Sequence, residues 1–139
     1  MTPAEVDSFL AGERTCRVAT VGADGPHATP LWFGWDGRAL WLYSLSRSRR
    51  WADLGRDPRV AVVVDAGHGY DELRGVELRG RVEVVGDVPR TGTQDDELAG
   101  PEAIFARKYF GLDQMVHDGR HGWLRLVPEQ VLSWDFRKI

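Results

Sequence analysis

The feature that most constrains the fold is a strict alternation of apolar and charged residues over residues 76–84. The apolar or small positions are Val76, Leu78, Gly80, Val82 and Val84, and the charged positions between them are Glu77, Arg79, Arg81 and Glu83. Successive side chains of a β-strand point to opposite faces of the sheet, so this pattern predicts a strand with one buried face and one solvated face. The chain is therefore expected to build a sheet that covers a core on one side.

Further extended runs lie on both sides of this strand, and short turns separate them. They cover residues 17–21, 27–35, 39–44, 60–65, 123–127 and 131–136. The pair Asp36-Gly37 is a strong hairpin signal, because few residues accept the positive φ that such a tight turn requires. The pattern predicts a mainly β fold with small helices, arranged as an antiparallel β-barrel of about six strands.

Three short helices are expected between the strands. The segment Thr2-Pro3-Ala4-Glu5 combines a hydroxyl cap with a proline at the first helical position, so a helix is predicted from there to about Ala11. A second helix should follow a basic loop within residues 46–55. A third should cover residues 101–110, after a mobile polar loop over residues 87–100.

Charge and cysteine content narrow the partners and the compartment. The formal net charge is -3, so the chain as a whole has no electrostatic reason to bind nucleic acid or acidic membranes. The single cysteine, Cys16, cannot form an intramolecular disulfide, and the first residues lack the cationic start and apolar run of a signal peptide. With no repeat and no linker, one domain over residues 1–139 is expected, in the cytoplasm, without nucleic-acid partner or membrane span.

A basic segment, Ser44-Leu45-Ser46-Arg47-Ser48-Arg49-Arg50, places three hydroxyls and three guanidiniums immediately before the second predicted helix. Guanidinium forks, hydroxyl donors and the free backbone N–H groups of a helix start are the groups that bind a phosphate or a carboxylate. The segment therefore predicts an anion site. The alternative is a solvated basic loop, since arginine clusters are often wet surface.

Two other segments combine an aromatic ring with groups suited to a ligand. In the strand over residues 27–35, Pro30 cannot donate to the sheet, and its small neighbours would let a flat ring approach the backbone beside Trp32. The C-terminal segment 133–138 places Trp134 beside two cations. Each has a structural alternative: an edge strand with a tryptophan packed in the core, and a terminal strand kept soluble by its charges.

The sequence lacks the common signatures of catalysis by side chains. The four histidines show no metal-ligand spacing to carboxylates or to Cys16, so no metal site is predicted. No activating base accompanies Cys16, which favours a buried thiol over a nucleophile. Because there is no G-x-S-x-G elbow, P-loop or G-x-G-x-x-G fingerprint, neither a hydrolase nor a nucleoside triphosphatase is indicated. The catalytic residues stay unassigned.

Six short motifs follow one another from about Thr2 to Lys138. They are Val18-Ala19-Thr20-Val21, Asp24-Gly25-Pro26-His27, Thr29-Pro30-Leu31-Trp32, Ser48-Arg49-Arg50, Arg56-Asp57-Pro58-Arg59-Val60 and Ser133-Trp134-Asp135. In this order they resemble the pyridoxamine 5′-phosphate oxidase-like split-barrel family, and most of all its actinobacterial deazaflavin-dependent branch. The resemblance implies a six-stranded antiparallel split β-barrel that forms a homodimer, with the cofactor in a groove at the subunit interface.

The resemblance also implies three groups of cofactor-binding residues. Those that would hold the cofactor's phosphate are Arg47, Ser48 and Arg50, with Ser44 nearby. Those that would face its ring are Thr29, Pro30, Leu31 and Trp32. Those that would reach the cofactor across the dimer interface are Trp134 and Arg137. Relatives usually carry a lysine where Arg50 stands, so a bidentate fork replaces a point charge here.

The implied function is that of a flavin- or deazaflavin-dependent oxidoreductase. It would transfer a hydride between coenzyme F420, or FMN, and a small organic acceptor that the sequence does not identify. F420 is expected to bind more tightly than FMN, because its polyanionic tail offers the arginine-rich loop more charge-assisted bonds than a single phosphate does. The alternative is a non-catalytic FMN or haem binding protein on the same barrel, because a fold does not fix a reaction.

Overall fold

The computed structural model describes the chain from Met1 to Ile139 and contains eight β-strands and three α-helices. The strands are β1 (Cys16–Gly22), β2 (Gly25–Leu31), β3 (Phe33–Trp35), β4 (Leu40–Leu45), β5 (Arg59–Ala66), β6 (Arg74–Val85), β7 (His121–Leu126) and β8 (Gln130–Asp135). The helices are α1 (Pro3–Gly12), α2 (Arg49–Arg56) and α3 (Asp96–Phe110). Short 3₁₀ turns cover Tyr70–Glu72 and Phe136–Lys138.

All strands pair antiparallel in the order β2-β1-β5-β6-β7-β4-β3, and β8 pairs with β6. The two edge strands of this order, β2 and β3, are consecutive in the chain and are joined by Trp32 alone. One residue spans only about 3.5 Å, so the two edges of the sheet must lie side by side. The sheet is therefore curled into a half-closed barrel, which confirms the predicted antiparallel split barrel, with eight strands rather than six.

Strand β6, which contains the alternating residues, is the central element of the sheet. It is 12 residues long, and its first half pairs with β8 while its second half pairs with β7. Its inward side chains include Val76 and Leu78, which are fully buried, whereas Arg79 and Arg81 are exposed. The alternation therefore predicts the strand and, as far as Val82, the face that it buries. At its end the prediction was wrong: Val84 is 56% exposed, and Val85 is buried instead in the smaller hydrophobic cluster.

The predicted strand over residues 27–35 divides at Trp32 into β2 and β3. Both prolines of β2 are exposed, Pro26 opposite Val21 of β1 and Pro30 opposite Arg17, and β2 has no second neighbour in the sheet order. This position agrees with the expectation that a proline-containing strand lies at a sheet edge, where a missing N–H costs least.

The interior consists of two hydrophobic clusters. The larger one has 16 buried residues and fills the barrel, with Phe33, Leu42 and Leu124 among its fully or almost fully buried members. The smaller one has 7 residues and lies between the outer face of β4 and β7 and the helix α3, around Trp123 and Phe105. The two clusters place β4 and β7 between two apolar layers, which fixes the position of the basic segment that follows β4.

Helix α1 has the predicted start, because Thr2 and Glu5 form a complete capping box. Helix α3 begins earlier than predicted: Asp95 caps it by accepting the backbone N–H groups of Glu97 and Leu98, and Pro101 lies inside the helix. The loop predicted over residues 87–100 is therefore shorter, and the prediction of a helix start at Pro101 was wrong. Proline marks a first turn only statistically, whereas the aspartate side chain satisfies the free N–H groups directly.

Candidate functional site

Three of the residues predicted to bind the cofactor, Thr29, Ser44 and Arg50, meet where β2, β4 and α2 converge. The Oγ of Ser48 accepts the backbone N–H of Trp51 at 3.1 Å, so α2 begins directly after Ser48 and Arg50 lies in its first turn. From there the Nε of Arg50 donates to the Oγ of Ser44 at 3.2 Å, and its Nη1 donates to the Oγ1 of Thr29 at 2.7 Å. The sequence placed these residues in two separate segments, and the fold joins them.

The guanidinium of Arg50 is buried without a counter-ion. The residue is only 8% exposed, and its side-chain partners are two neutral hydroxyls. Burial lowers the pKa of Arg50, and no carboxylate offsets this effect. The remaining nitrogen, Nη2, makes no hydrogen bond within the chain and is not completely buried. A charge held in this way can form a charge-assisted bond with an anion that binds at the site.

Cys16 lies next to this group and is not a reactive thiol. It pairs with Leu31 across β1 and β2 and is completely buried. Burial raises the pKa of the Cys16 thiol to about 12. The thiol is therefore protonated at neutral pH and acts as part of the core rather than as a nucleophile.

The outer part of the basic segment borders a separate cavity of about 490 Å³. Arg47 and Ser48 line it on one side, and Gly119 and Arg120 line it on the other. The backbone N–H and the Oγ of Ser46 both donate to the carbonyl oxygen of Arg120, at 2.9 and 3.1 Å, and so hold the two walls together.

Arg120 is a candidate residue that the sequence analysis did not nominate. It lies in the loop between α3 and β7. No periodicity marks this loop, and its neighbour Gly119 has a positive φ of 70°. The one available signal was the pair Asp118-Gly119, a turn that leaves the following arginine at the protein surface.

The segment nominated for ring binding does not present one continuous face. Pro30 is exposed on the outer side of β2, whereas Leu31 packs against the barrel core. The strand ends there, and Trp32 lies 44% exposed with its indole stacked on Tyr109, at a centroid distance of 4.3 Å and an interplanar angle of 9°. Trp32 is therefore a half-exposed aromatic surface rather than a core residue, and Tyr109 is a neighbour that the sequence did not indicate.

The two C-terminal nominees lie on another part of the same chain. The ring of Trp134 packs directly over Gly75 on β6. Arg137 donates to the carboxylate of Asp135 at 2.7 Å and borders a pocket of about 330 Å³ beside α1. Within one chain, neither residue lines the cavity at Arg47 or hydrogen-bonds to the Arg50 group.

The four histidines do not form a cluster with other metal-binding side chains. His117 contacts the carboxylate of Glu102 at 3.0 Å, and His121 contacts Asp118 at 2.8 Å while its ring stacks on Tyr43. No three histidine, cysteine, aspartate or glutamate side chains lie close enough to hold a metal ion. None of the helices combines the length and the apolar composition that a membrane-crossing helix needs.

Comparison with known proteins places this geometry in a family. A curated protein from Kineococcus radiotolerans, named pyridoxine/pyridoxamine 5′-phosphate oxidase, is 40% identical over 107 residues, which is 76% of this chain and 42% of that protein. The chain thus spans less than half the length of this relative. The crystal structure of the conserved hypothetical protein Rv2991 from Mycobacterium tuberculosis superposes with a TM-score of 0.80 and 31% identity, covering 99% of this chain and 87% of that one.

A solved F420 reductase shares the fold, with a TM-score of 0.67 and 22% identity over 91% of this chain and 94% of that one. The family model described as pyridoxamine 5′-phosphate oxidase matches residues 2–135, almost the whole curled sheet and its helices. The chain therefore belongs to the pyridoxamine 5′-phosphate oxidase family.

Proposed function

We propose that this chain is an oxidoreductase that binds coenzyme F420, or FMN, and uses it to reduce or oxidise a small organic acceptor. The observation that carries the proposal is the buried guanidinium of Arg50, which faces two hydroxyls and no carboxylate. A cation in that state costs stability unless an anion binds to it. The phosphate of a flavin or deazaflavin is an anion of the right kind, and the family has flavin-binding and oxidoreductase members.

The residues present fit such a cofactor. Arg50 and the hydroxyls of Ser44 and Thr29 would bind its phosphate, assisted by Ser48 directly before α2, whereas Arg47, which the resemblance also assigned to the phosphate, lies at the separate cavity. The half-exposed indole of Trp32, which directly follows the edge strand β2, offers a flat apolar surface to a ring. When bound, the cofactor supplies the hydride, and the side chains named here position it and balance its charge. No side chain is assigned as a proton donor.

F420 is the preferred cofactor because the basic segment exceeds what a single phosphate needs. Arg50 alone serves one phosphate, and Arg47 lies outside that contact, at the cavity shared with Arg120. F420 carries a phosphodiester and a tail of glutamate carboxylates, so it offers anions to both places. We further propose that the protein works as a cytoplasmic homodimer with the cofactor at the subunit interface, and the reduced, buried Cys16 suits that compartment.

Parallel titrations of the protein with F420 and with FMN test the proposal. We expect F420 to bind more tightly, and Arg50→Met to weaken both cofactors by about tenfold, the loss of about 1.4 kcal/mol that one charge-assisted contact provides. Arg56→Met is the matched control: it lies on the same helix but is exposed and paired with Asp53 at 3.2 Å. Its affinity for both cofactors should equal that of the wild type.

Three results would change the proposal. FMN binding at least tenfold tighter than F420 would make this an FMN protein. Binding without turnover, in a screen of quinones, enones and biliverdin with reduced cofactor, would make it a carrier rather than an enzyme. Absence of binding to either cofactor would overturn the proposed function.

A further inference from the structure

The cavity between the basic segment and the loop before β7 contains two arginines that no acidic residue neutralises. Arg47 and Arg120 both line it, together with the hydroxyl-bearing Ser46 and Ser48, and no carboxylate is among its lining residues. The neighbouring Arg49 behaves differently, since it is paired with Asp24 at 3.2 Å. The cavity thus has an excess of positive charge and of hydrogen-bond donors.

The wall that carries Arg120 is held in place by its backbone. The backbone N–H of Arg120 donates to the carboxylate of Asp118 at 2.9 Å, and its carbonyl oxygen accepts two hydrogen bonds from Ser46. The carboxylate of Asp118 also contacts His121 at 2.8 Å, and Asp118 is not among the residues that line the cavity. The guanidinium of Arg120 is the one polar group of this residue that the fold does not use.

The cavity and the Arg50 group are distinct but adjacent. Arg50 is buried and directed towards Ser44 and Thr29, whereas Arg47 and Arg120 are exposed at the cavity. Ser48, at the start of α2, belongs to the cavity lining and lies two residues before Arg50. A ligand with one anionic group at Arg50 and further anionic groups along an extended chain could therefore contact both places.

We propose that this cavity is a second anion subsite, in which Arg120 and Arg47 bind the carboxylates of a cofactor tail and so select F420 over FMN. The inference rests on the proposed function and adds a specificity-determining residue, Arg120, from a loop remote in sequence from the basic segment. Charge-assisted bonds from two guanidiniums discriminate between a ligand that carries tail carboxylates and one that ends at its phosphate.

The test compares the ratio of the FMN and F420 dissociation constants in four variants. In Arg120→Met and in Arg47→Met this ratio should fall at least threefold, because only F420 loses a contact. In Arg50→Met both constants should rise together and leave the ratio unchanged. Arg49→Met removes a nearby exposed arginine and should leave the ratio unchanged as well, which separates a specific contact from a general effect of charge.

A smaller change of the ratio in Arg120→Met, or an equal change in Arg49→Met, would overturn the subsite while leaving the proposed function in place if Arg50→Met still weakens both cofactors.

A second measurement does not depend on either cofactor. Titration of the wild type with a triglutamate peptide, followed by ¹H–¹⁵N NMR, should shift the amide signals of Ser46 and Gly119, and Arg120→Met should abolish these shifts. Unchanged amide signals in the wild type would contradict the subsite directly.

Discussion

Arg50 and Arg90 are both buried, and they differ in what surrounds the charge. Arg90 is 3% exposed and donates to Glu102 at 2.9 Å and to Asp87 at 3.0 Å. Arg50 is 8% exposed and has hydroxyl partners only. Removing one member of a buried ion pair strands the other charge, whereas removing a lone buried charge also removes the cost of desolvating it.

The two arginines should therefore respond differently to replacement by methionine. In the cofactor-free protein we expect Arg90→Met to lower the free energy of unfolding by about 3 kcal/mol. We expect Arg50→Met to leave it unchanged or to raise it, because methionine fills the space without a charge. Urea unfolding at pH 7 measures both. A loss in Arg50→Met as large as that in Arg90→Met would show that Arg50 is a structural residue and would weaken its assignment to an anion site.

Glu102 is the acceptor of a buried network, and its charge should govern acid stability. Burial by itself would raise the pKa of Glu102, but hydrogen bonds from Arg90, His117 and Trp123 outweigh this and hold the pKa below its ordinary value. A carboxylate with a lowered folded-state pKa stabilises the protein above its unfolded pKa and loses that contribution as the pH falls through the folded value.

Glu102→Gln should accordingly be less stable than the wild type at pH 7, by about 3 kcal/mol, because it leaves Arg90 without its main partner. The wild type should lose stability as the pH falls below about 4.5, and the difference between the two proteins should narrow over that range. Thermal unfolding measured from pH 7 to pH 3 follows this difference. A difference that stays constant over the whole range would contradict a charged Glu102 in the folded state.

At the scale of the elements, the close contact between β6 and β8 depends on a residue without a side chain. A Cβ at Gly75 would meet the indole ring of Trp134 on one side and the carbonyl oxygen of Val64, at 2.9 Å, on the other. The carbonyl belongs to the β5 backbone and cannot move aside without disturbing the sheet. Gly75→Ala should therefore lower the free energy of unfolding by about 1–3 kcal/mol and change the fluorescence of Trp134.

The control for this prediction is Gly55→Ala on α2. A Cβ at Gly55 meets nothing within 4 Å, and alanine favours a helix over glycine by about 1 kcal/mol. Gly55→Ala should therefore be as stable as the wild type or more stable. Equal stability of the two variants would mean that β8 adapts easily and that Trp134 is not fixed over β6.

The elements that the sequence predicted well are those with a strong local signal. The alternation in β6, the Asp-Gly turn before β4 and the capping box of α1 each depend on neighbouring residues alone, and all three are present. The division at Trp32 and the early start of α3 were missed because long-range contacts decide them. Trp32 leaves the strand where its indole stacks on Tyr109 of α3, and sequence separation hides that contact.

The same distinction applies to the candidate site. The basic segment is a local pattern and was visible in the sequence. Its arginine side chains, however, lie in two places: Arg50 contacts Thr29, and Arg47 lines a cavity with Arg120. This separation results from the pairing of β4 with β7 and from the start of α2. Arg120 carries no local pattern of its own. Propensity and periodicity could nominate the segment, while only the fold separates its arginines into two environments.

At the scale of the whole molecule, the outer face of β2, β1 and β5 carries a patch of small or apolar side chains. Its members are Ala19, Val21, Pro26, Ala28, Pro30 and Ala61. Charged side chains on the same face border this patch, at Arg17, Arg59, Glu77, Arg79 and Arg81. A groove of about 630 Å³ crosses the face beside Ala61. An apolar centre with a polar rim is the composition of a protein interface.

We therefore expect a two-fold homodimer that buries this face, with each site completed by the C-terminal segment of the partner. Ala61→Glu places a charge at the centre of the face and should convert the dimer to a monomer in light scattering, whereas Ala52→Glu, at an exposed position of α2, should not. A wild type that is monomeric with full cofactor affinity would contradict this arrangement.

Mixing two variants with weakened cofactor binding tests whether the site is shared between subunits. Trp134 does not meet the Arg50 group within one chain, so a role for it in cofactor binding requires the second copy. Arg50→Ala and Trp134→Ala, each expected to bind cofactor at least tenfold more weakly as a homodimer, should exchange subunits and form heterodimers in which one of the two sites is intact. At equal amounts and free exchange, sites of wild-type affinity should return to about a quarter of their wild-type number. Heterodimers that demonstrably form and recover no binding would show that Trp134 acts only by packing on Gly75 and that the site belongs to a single chain.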